Sequence, residues 1–227
     1  MHLLKRYEGL ALYGMTHTPT HYWRGNQVTE SGRLLTFEEF LEWYPEDGRR
    51  YELIEGEIVA MRPGGQHEFI ASIIDAELTL EIRRLQLPYF SSRNTLVKLN
   101  RPGSADLPDV IVLDREALGV DPYWEQFSTI SVGSSAQLVV EVVSTNWQDD
   151  YLRKLADYET LGIPEYWIVD YLGLGATRYI GKPKQPTISV YQLVEGEYQI
   201  RQFRGAEQVS SATFPDLALI AAQVLQA

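Results

Sequence analysis

An almost uninterrupted apolar run at residues 138–143 constrains the fold of this chain more than any other segment. Its sequence, LVVEVV, is typical of a β-strand buried on both faces, and such a strand needs packed layers on either side of its sheet. The one interruption is Glu141. A buried carboxylate costs several kcal/mol unless it is paired, protonated or bound to a metal. A salt bridge with a buried arginine is one interpretation of Glu141, and a functional carboxylate is the one that we favour.

Alternating apolar and polar residues predict two β-hairpins. One turn lies at Glu55-Gly56 within YELIEGEIVAM, and the other at Glu195-Gly196 within ISVYQLVEGEYQIRQF. Because both turns contain the same Glu-Gly-Glu sequence, we attribute their glutamates to turn chemistry rather than to a site.

Hydrophobic spacing predicts the remaining elements. Thr36 and Glu39 fit a capping box at the start of a short helix, and Gly162 fits the end of a later one. Helices are expected at 67–85 and 149–161, and strands at 89–99, 109–113, 138–143 and 166–169. This order predicts an α/β (α+β) fold in which helices flank a central mixed β-sheet with added β-hairpins.

The beginning of the chain lacks sustained periodicity. We expect an N-terminal extension at residues 1–30 and a single domain at residues 31–227. No apolar run approaches the roughly 20 residues that a membrane helix needs, and we predict no signal peptide. The expected compartment is therefore the cytoplasm, without a membrane partner.

Composition narrows the chemistry. The chain has no cysteine, and three of its four histidines lie in the first 21 residues, which leaves His67 for the rest. Disulfides, thiol nucleophiles and cysteine-bound zinc are excluded. With 31 acidic and 20 basic residues, the net charge of −11 argues against a generic basic nucleic-acid binder. It leaves a metal-dependent nuclease open, because carboxylates build such sites. Hydrolysis would therefore depend on carboxylates and lysine.

Asp109 is the second candidate carboxylate. It opens the predicted strand DVIVL directly after Pro108, and an isolated Pro-Asp is most often a turn or cap. The strand that carries Glu141 follows 32 residues later and also bears an acid. Two carboxylates on neighbouring strands can share one hard divalent cation, and Mg²⁺ keeps several waters, so two protein ligands suffice.

Lys154 lies in the next predicted helix. Asp150, Lys154 and Tyr158 follow one another at steps of four and share one helix face. One interpretation is a solvent-facing ion pair between Asp150 and Lys154. The other is a lysine aimed at the carboxylates, where it would orient a water nucleophile or neutralise charge that develops on phosphorus.

Glu52 and His67 are weaker candidates. The two hairpin segments, YELIEGE and YQLVEGE, differ where Glu52 has Gln192 as its counterpart. Turn chemistry therefore does not account for the charge of Glu52. His67 stands near the start of the long helix, where it could be a cap or a neighbour of the site.

Taken together, these segments resemble a known family. EDGRRYELIEGEIVAM, the helix from His67, LPDVIVL, LVVEVVST and DDYLRKLADYETLGIPEYWIVD are similar to the Uma-two family of restriction-endonuclease-like proteins, which is abundant in cyanobacteria and belongs to the PD-(D/E)XK nuclease superfamily. The resemblance covers residues 35–225, and its most specific part runs from Glu141 to Asp170.

The resemblance implies a restriction-endonuclease-like core and a set of site residues. Asp109 matches the acid of the PD element and Glu141 the acid of the E-x-K element. Glu52 matches an acid in the family's early hairpin. Val143 stands where the simple motif has lysine, and the resemblance suggests that Lys154 takes over that role. His67 matches a frequent histidine of the family.

On this resemblance we expect an Mg²⁺- or Mn²⁺-dependent endonuclease that hydrolyses phosphodiester bonds in DNA. Asp109 and Glu141 would bind the metal, and Glu52 and Lys154 would complete the catalytic set, with His67 and Tyr158 as neighbours. Two alternatives remain: a non-catalytic interaction module that retains the fold, and another nucleic-acid phosphoesterase or repair enzyme.

Basic and aromatic side chains indicate possible contacts of such a nuclease. Candidate phosphate contacts are Arg49, Arg50, Arg83, Arg84, Arg93, Lys98 and Arg101. A homodimer is expected because an enzyme that cuts two strands often needs two centres. An aromatic trio could serve its interface or could equally cover the core, and it consists of Tyr123, Trp124 and Phe127.

Overall fold

The computed structural model describes residues 33–227. The extension predicted at residues 1–30 lies outside the described residues, so the predicted division into an extension and a single domain stays a prediction. The helices of the described part are α1 (Phe37–Trp43), α2 (Gly65–Leu85), α3 (Trp124–Phe127), α4 (Leu155–Leu161), α5 (Thr177–Ile180) and α6 (Ala221–Leu225). A π-helical segment, Asp149–Lys154, runs directly into α4.

The strands form two sheets. In chain order they are β1 (Arg50–Ile54), β2 (Glu57–Met61), β3 (Tyr89–Ser92), β4 (Leu96–Lys98), β5 (Ala105–Asp106), β6 (Val110–Asp114), β7 (Thr129–Ile130), β8 (Ala136–Val142), β9 (Glu165–Asp170), β10 (Thr187–Val194) and β11 (Glu197–Phe203). A six-stranded sheet has the order β11-β10-β9-β8-β6-β3, and a five-stranded sheet has the order β2-β1-β5-β4-β7.

Both sheets are mixed, which confirms the predicted α/β class. In the larger sheet β8 and β9 are parallel and the other neighbours are antiparallel. In the smaller sheet only β4 and β7 are parallel. The prediction of one central sheet was incomplete, because the first hairpin builds one side of a second sheet.

The predicted strand at residues 89–99 is wrong as a single element. Its first part, β3, pairs with β6 in the larger sheet, and its last part, β4, pairs with β5 and β7 in the smaller one. Between them the Ser92 hydroxyl accepts hydrogen bonds from the Asn94 amide at 3.2 Å and from the Thr95 hydroxyl at 2.8 Å. This local turn diverts the chain from one sheet to the other.

The local turn and cap signals are confirmed. The Thr36 side chain accepts from the Glu39 amide while the Glu39 carboxylate accepts from the Thr36 amide. Glu55 and Gly56 have φ values of 51° and 87°, and the second hairpin turn repeats them at 52° and 87°. Positive φ at both central residues matches the twist of two-residue hairpins.

The larger sheet has two differently built faces. On the α2 face, β6, β8 and β9 pack against α2 and α6, and the contacting strand residues are Val110, Val112, Leu138, Val140, Val142, Trp167 and Val169. On the tyrosine face, alternate residues of the same strands pack with the π-helical segment and α4, and this set includes Ile111, Val139, Tyr151, Tyr158 and Tyr166. A third cluster joins α1 to the smaller sheet.

Helix α2 covers its face with one apolar stripe. Ile70, Ile74 and Leu78 are fully buried. The preceding Phe69, by contrast, is exposed. A helix turns by about 100° per residue, so Phe69 lies beside the stripe that begins at Ile70.

Candidate active site

Strand β8 delivers Glu141 to the tyrosine face. Val140 and Val142 pack on the α2 face, while Val139 and Val143 belong to the opposite cluster. Because successive side chains alternate across a strand, Glu141 points to the side of Val139 and Val143. Its exposed fraction is 3%. The carboxylate is therefore buried where the sequence indicated an anomaly.

Lys154 and Tyr158 meet Glu141 on this face. The Lys154 ammonium donates to Glu141 Oε1 at 2.8 Å, and the Tyr158 hydroxyl donates to the same oxygen at 3.0 Å. Lys154 is the last residue of the π-helical segment and is buried. The alternative of a solvent-facing ion pair between Asp150 and Lys154 is wrong, because Lys154 turns inward to acids on the sheets. Such π-helical turns frequently occur at functional sites.

Glu52 reaches the same lysine from the smaller sheet. Tyr51 and Leu53 pack with α1, so the alternation of β1 turns Glu52 to the other side. Lys154 donates to Glu52 Oε1 at 3.1 Å, and the Leu107 amide donates to that oxygen at 3.2 Å. One ammonium thus bridges carboxylates of two sheets.

Asp109 lies where β6 begins. The β6–β8 register pairs Val110 with Val140, and one step further Asp109 stands opposite Glu141. Asp109 Oδ2 accepts from the Val142 amide at 2.8 Å and lies 3.2 Å from His67 Nε2. His67 comes from the first turn of α2, and its Nε2 also lies 2.8 Å from the Val142 carbonyl oxygen, so it meets Asp109 where β8 ends.

Burial controls the ionisation of the acids around Lys154. Burial raises the pKa of Glu141 to about 8, with Lys154 opposing and Asp109 adding to the shift. Burial likewise raises the pKa of Glu52, and that of Asp150 well above its usual range. The surrounding carboxylates outweigh burial at Lys154 and raise its pKa. The lysine is therefore the retained charge of this cluster.

Asp109 behaves in the opposite way. Burial would raise its pKa, but His67, Arg50 and the Val142 amide outweigh burial and lower the pKa to about 2. Burial would lower the pKa of His67, and the charge of Asp109 instead raises it. Asp109 is therefore ionised at neutral pH, whereas burial raises the pKa of Glu141 even though it contacts Lys154.

The donor types fit a hard divalent cation. Carboxylate oxygens are the ligands that Mg²⁺ and Mn²⁺ prefer, and Asp109 and Glu141 supply them from neighbouring strands. Across residues 33–227 no group of three or more His, Asp and Glu side chains is arranged to hold a metal. An ion would therefore rest on two carboxylates and water, which suffices for Mg²⁺.

A second buried ion pair escaped the sequence reasoning. Arg153 donates to Asp106 Oδ1 at 2.7 Å, and Asp106 is fully buried. Asp106 belongs to a two-residue strand and Arg153 precedes Lys154, so only the acidic and basic residue types could have drawn attention to them. The pair adds charge beside the Lys154 cluster, since Asp106 also raises the pKa of Glu52.

An arginine pair beside Asp109 was only partly foreseen. Arg50 and Arg93, two of the candidate phosphate contacts, both pair with Glu68 of α2. Two further candidate phosphate contacts bind other acids: Lys98 pairs with Glu38, and Arg101 with Asp157. Glu68 itself escaped notice because nothing in its local sequence distinguishes it.

The aromatic trio covers the chain's own core. Tyr123 packs edge to face on Phe37, and Phe127 packs on the same cluster. Trp124 packs on Phe90 and the tyrosine face. Of the two interpretations, the structure favours core cover over an interface.

Comparisons with known proteins agree with this fold. The family model Uma2, described as "Putative restriction endonuclease", matches residues 37–223. A solved structure from Anabaena variabilis ATCC 29413, described as "a putative nuclease belonging to DUF820", has a TM-score of 0.64 and 18% identity, and the match covers 85% of this chain and 98% of that one. A search of curated proteins finds no match. Within the described residues, no helix combines the length and apolarity that crossing a membrane requires.

Proposed function

The chain belongs to the Uma2 family, and on that premise we propose that it is a metal-dependent endonuclease that hydrolyses phosphodiester bonds in DNA. Family and fold indicate a nuclease of the restriction-endonuclease type. The metal requirement, the residue roles and the activity itself are our proposal.

The observation that carries the proposal is the buried contact of Lys154 with Glu52 and Glu141. Their side chains are each about 3% exposed, and the three residues come from distant parts of the chain. Replacing such an ion pair with apolar residues would often preserve or raise stability. Strongly shifted pKa values around a specific charged partner are also typical of functional sites.

We assign Asp109 and Glu141 as the residues that hold Mg²⁺ or Mn²⁺. Lys154 and Tyr158 both donate to Glu141 Oε1 and would orient this carboxylate for the ion. A bound ion would polarise the scissile phosphate and lower the pKa of a coordinated water. Because burial raises the pKa of Glu141 and only its ionised form is a metal ligand, metal binding would compete with protonation.

The chain's own groups orient this centre. Lys154 would hold the attacking water or neutralise charge that develops on the phosphate. Glu52 keeps the ammonium beside Glu141 and would help to bind the metal or a water beside it. Tyr158 fixes the Glu141 carboxylate by its hydrogen bond, and His67 fixes Asp109.

The partners follow from the reaction. The substrate is DNA, whose phosphates meet the site where Asp109 begins its strand. A homodimer in the cytoplasm is part of the proposal, because an enzyme that cuts both strands often uses two centres. Light scattering coupled to size-exclusion chromatography measures the molar mass. The mass of two chains is expected, and the mass of one chain would contradict the homodimer.

Plasmid cleavage tests the proposal. Purified protein should convert supercoiled DNA to nicked or linear forms with Mg²⁺ or Mn²⁺ and should stop when EDTA is added. Asp109→Asn and Lys154→Met should lower the rate about 100-fold or more. The matched controls are Asp216→Asn and Lys184→Met, which remove the same charges from exposed side chains outside the site.

If the folded parent protein neither binds these ions nor cleaves DNA, the proposed nuclease activity is refuted. That result would favour the alternative of an interaction module that retains the fold. Cleavage confined to damaged or branched DNA would instead favour the repair enzyme.

A further inference from the structure

We propose that Arg50 and Arg93 form a clamp for a DNA phosphate, and that the Glu68 carboxylate occupies this clamp until DNA displaces it. The inference rests on the proposed function, because it takes the phosphodiester backbone as the ligand. It assigns substrate binding and its self-inhibition to three residues outside the Lys154 cluster.

The carboxylate of Glu68 lies between the two guanidinium groups. Its Oε1 is 3.4 Å from Arg50 Nη1, and its Oε2 accepts a short hydrogen bond from Arg93 Nη2. Each arginine thus holds one oxygen of the same planar anion. The two non-bridging oxygens of a phosphodiester offer the same pair of acceptors to arginine.

Both arginines are anchored to the segment that carries Asp109. Arg50 Nη2 donates to the Pro108 carbonyl at 2.9 Å, and Arg50 Nη1 is 3.7 Å from Asp109 Oδ1. Arg93 Nε donates to the Asp109 carbonyl at 3.1 Å. A phosphate held by the two guanidinium groups would therefore lie next to the carboxylate that we assign to the metal.

The exposures suit a displaceable anion in a fixed clamp. The Glu68 side chain is 38% exposed, whereas those of Arg93 and Arg50 are 25% and 18% exposed. The backbone carbonyls hold the guanidinium groups in place, but Glu68 can rotate into solvent. A partly exposed ion pair is weak, and a phosphate that brings its own charge can replace it.

Affinity for DNA without metal tests this inference. We would titrate a short fluorescein-labelled duplex in low-salt EDTA buffer and follow fluorescence anisotropy, so that no cleavage occurs. Glu68→Gln should bind about three- to tenfold more tightly than the parent. Glu38→Gln, which removes an equal charge from the Lys98 pair, should change affinity less. Arg93→Gln should weaken binding and lower the salt slope by about one unit.

A double variant separates the clamp from a general charge effect. If Glu68 blocks the clamp, Glu68→Gln should not tighten binding in an Arg93→Gln background. Equal tightening in both backgrounds, or no tightening by Glu68→Gln in a folded protein, would overturn the inference. If Glu68→Gln does not fold, the dependence of DNA affinity on salt in Arg93→Gln tests the inference instead. A slope equal to that of the parent would mean that Arg93 contacts no phosphate and would overturn the clamp.

The two proposals fail separately. Tighter binding by Glu68→Gln in a protein that never cleaves DNA would leave the clamp standing without the nuclease. Cleavage by the parent together with an unaltered affinity of Glu68→Gln would leave the nuclease standing without the clamp.

Discussion

The two faces of the six-stranded sheet are built from alternate residues of the same strands and have opposite character. On the α2 face Val140 and Val142 lie among aliphatic side chains. On the tyrosine face their neighbour Glu141 meets Lys154 and Tyr158. One step along β8 separates mainly apolar packing from a buried charge cluster.

The two faces contribute differently to stability and to function. Burial of aliphatic side chains is the main favourable contribution to folding. Charges buried on the tyrosine face gain from pairing but lose their hydration, so their net contribution is small or unfavourable. We infer that the α2 face maintains stability and that the tyrosine face retains its charges for chemistry.

Removing the bridging ammonium should give the largest effect. Lys154→Met leaves Glu52 and Glu141 buried without their shared cation, and breaking a buried pair in this way costs about 3–5 kcal/mol. Urea unfolding at neutral pH measures the loss. The control Lys98→Met removes the ammonium from a more exposed ion pair with Glu38. The free energy of unfolding should then fall by less than about 1 kcal/mol. An equal loss of unfolding free energy in both variants would contradict a special role for the buried charges on the tyrosine face.

A cavity on the α2 face should cost nearly as much without affecting the chemistry. Leu78→Ala removes a fully buried side chain of α2, which lowers the free energy of unfolding by about 2–5 kcal/mol. Leu80→Ala, on the exposed side of the same helix, should change it by less than about 0.5 kcal/mol. Cleavage per folded molecule should equal that of the parent in both, and a drop in Leu78→Ala alone would show that the packing of α2 affects the site.

Alkaline pH should weaken the tyrosine face selectively. Burial raises the pKa of Tyr158 and Tyr166 well above the usual range. Above about pH 10 the unfolded chain ionises its tyrosines while the folded chain keeps these two protonated. The unfolded state then binds fewer protons, so stability falls with rising pH, by about 1.4 kcal/mol per pH unit for each such tyrosine.

Urea unfolding over a pH series measures this slope. Tyr166→Phe removes one of the two groups, and its stability should fall less steeply than that of the parent. Tyrosinate absorption by both residues in the still-folded protein near pH 10 would contradict the assignment.

Local signals made much of the fold predictable. The capping box at Thr36 and the two Glu-Gly turns depend on adjacent residues, and each was confirmed. The run at 89–99 failed because strand propensity does not reveal which sheet a segment joins. The short strands β5 and β7 carry too few residues for any period to emerge.

The site divides in the same way. The burial of Glu141 could be predicted from its apolar neighbours, and the family resemblance directed attention to Lys154. The resemblance did not indicate the contact between Arg93 and Glu68, which are 25 positions apart. Nor did local sequence link Arg153 to Asp106. Such pairs arise only when the sheets and helices pack, so no window of sequence contains them.

The most direct test of the account is the cleavage rate of Glu141→Gln per folded molecule. The amide is nearly isosteric and can still accept from Lys154 and Tyr158, so we expect its free energy of unfolding within about 1 kcal/mol of the parent or above it. Plasmid cleavage with Mg²⁺ should nevertheless fall about 100-fold or more, because a metal ligand is lost. A Glu141→Gln protein that cleaves at the parental rate would contradict the claim that this buried carboxylate is kept for chemistry.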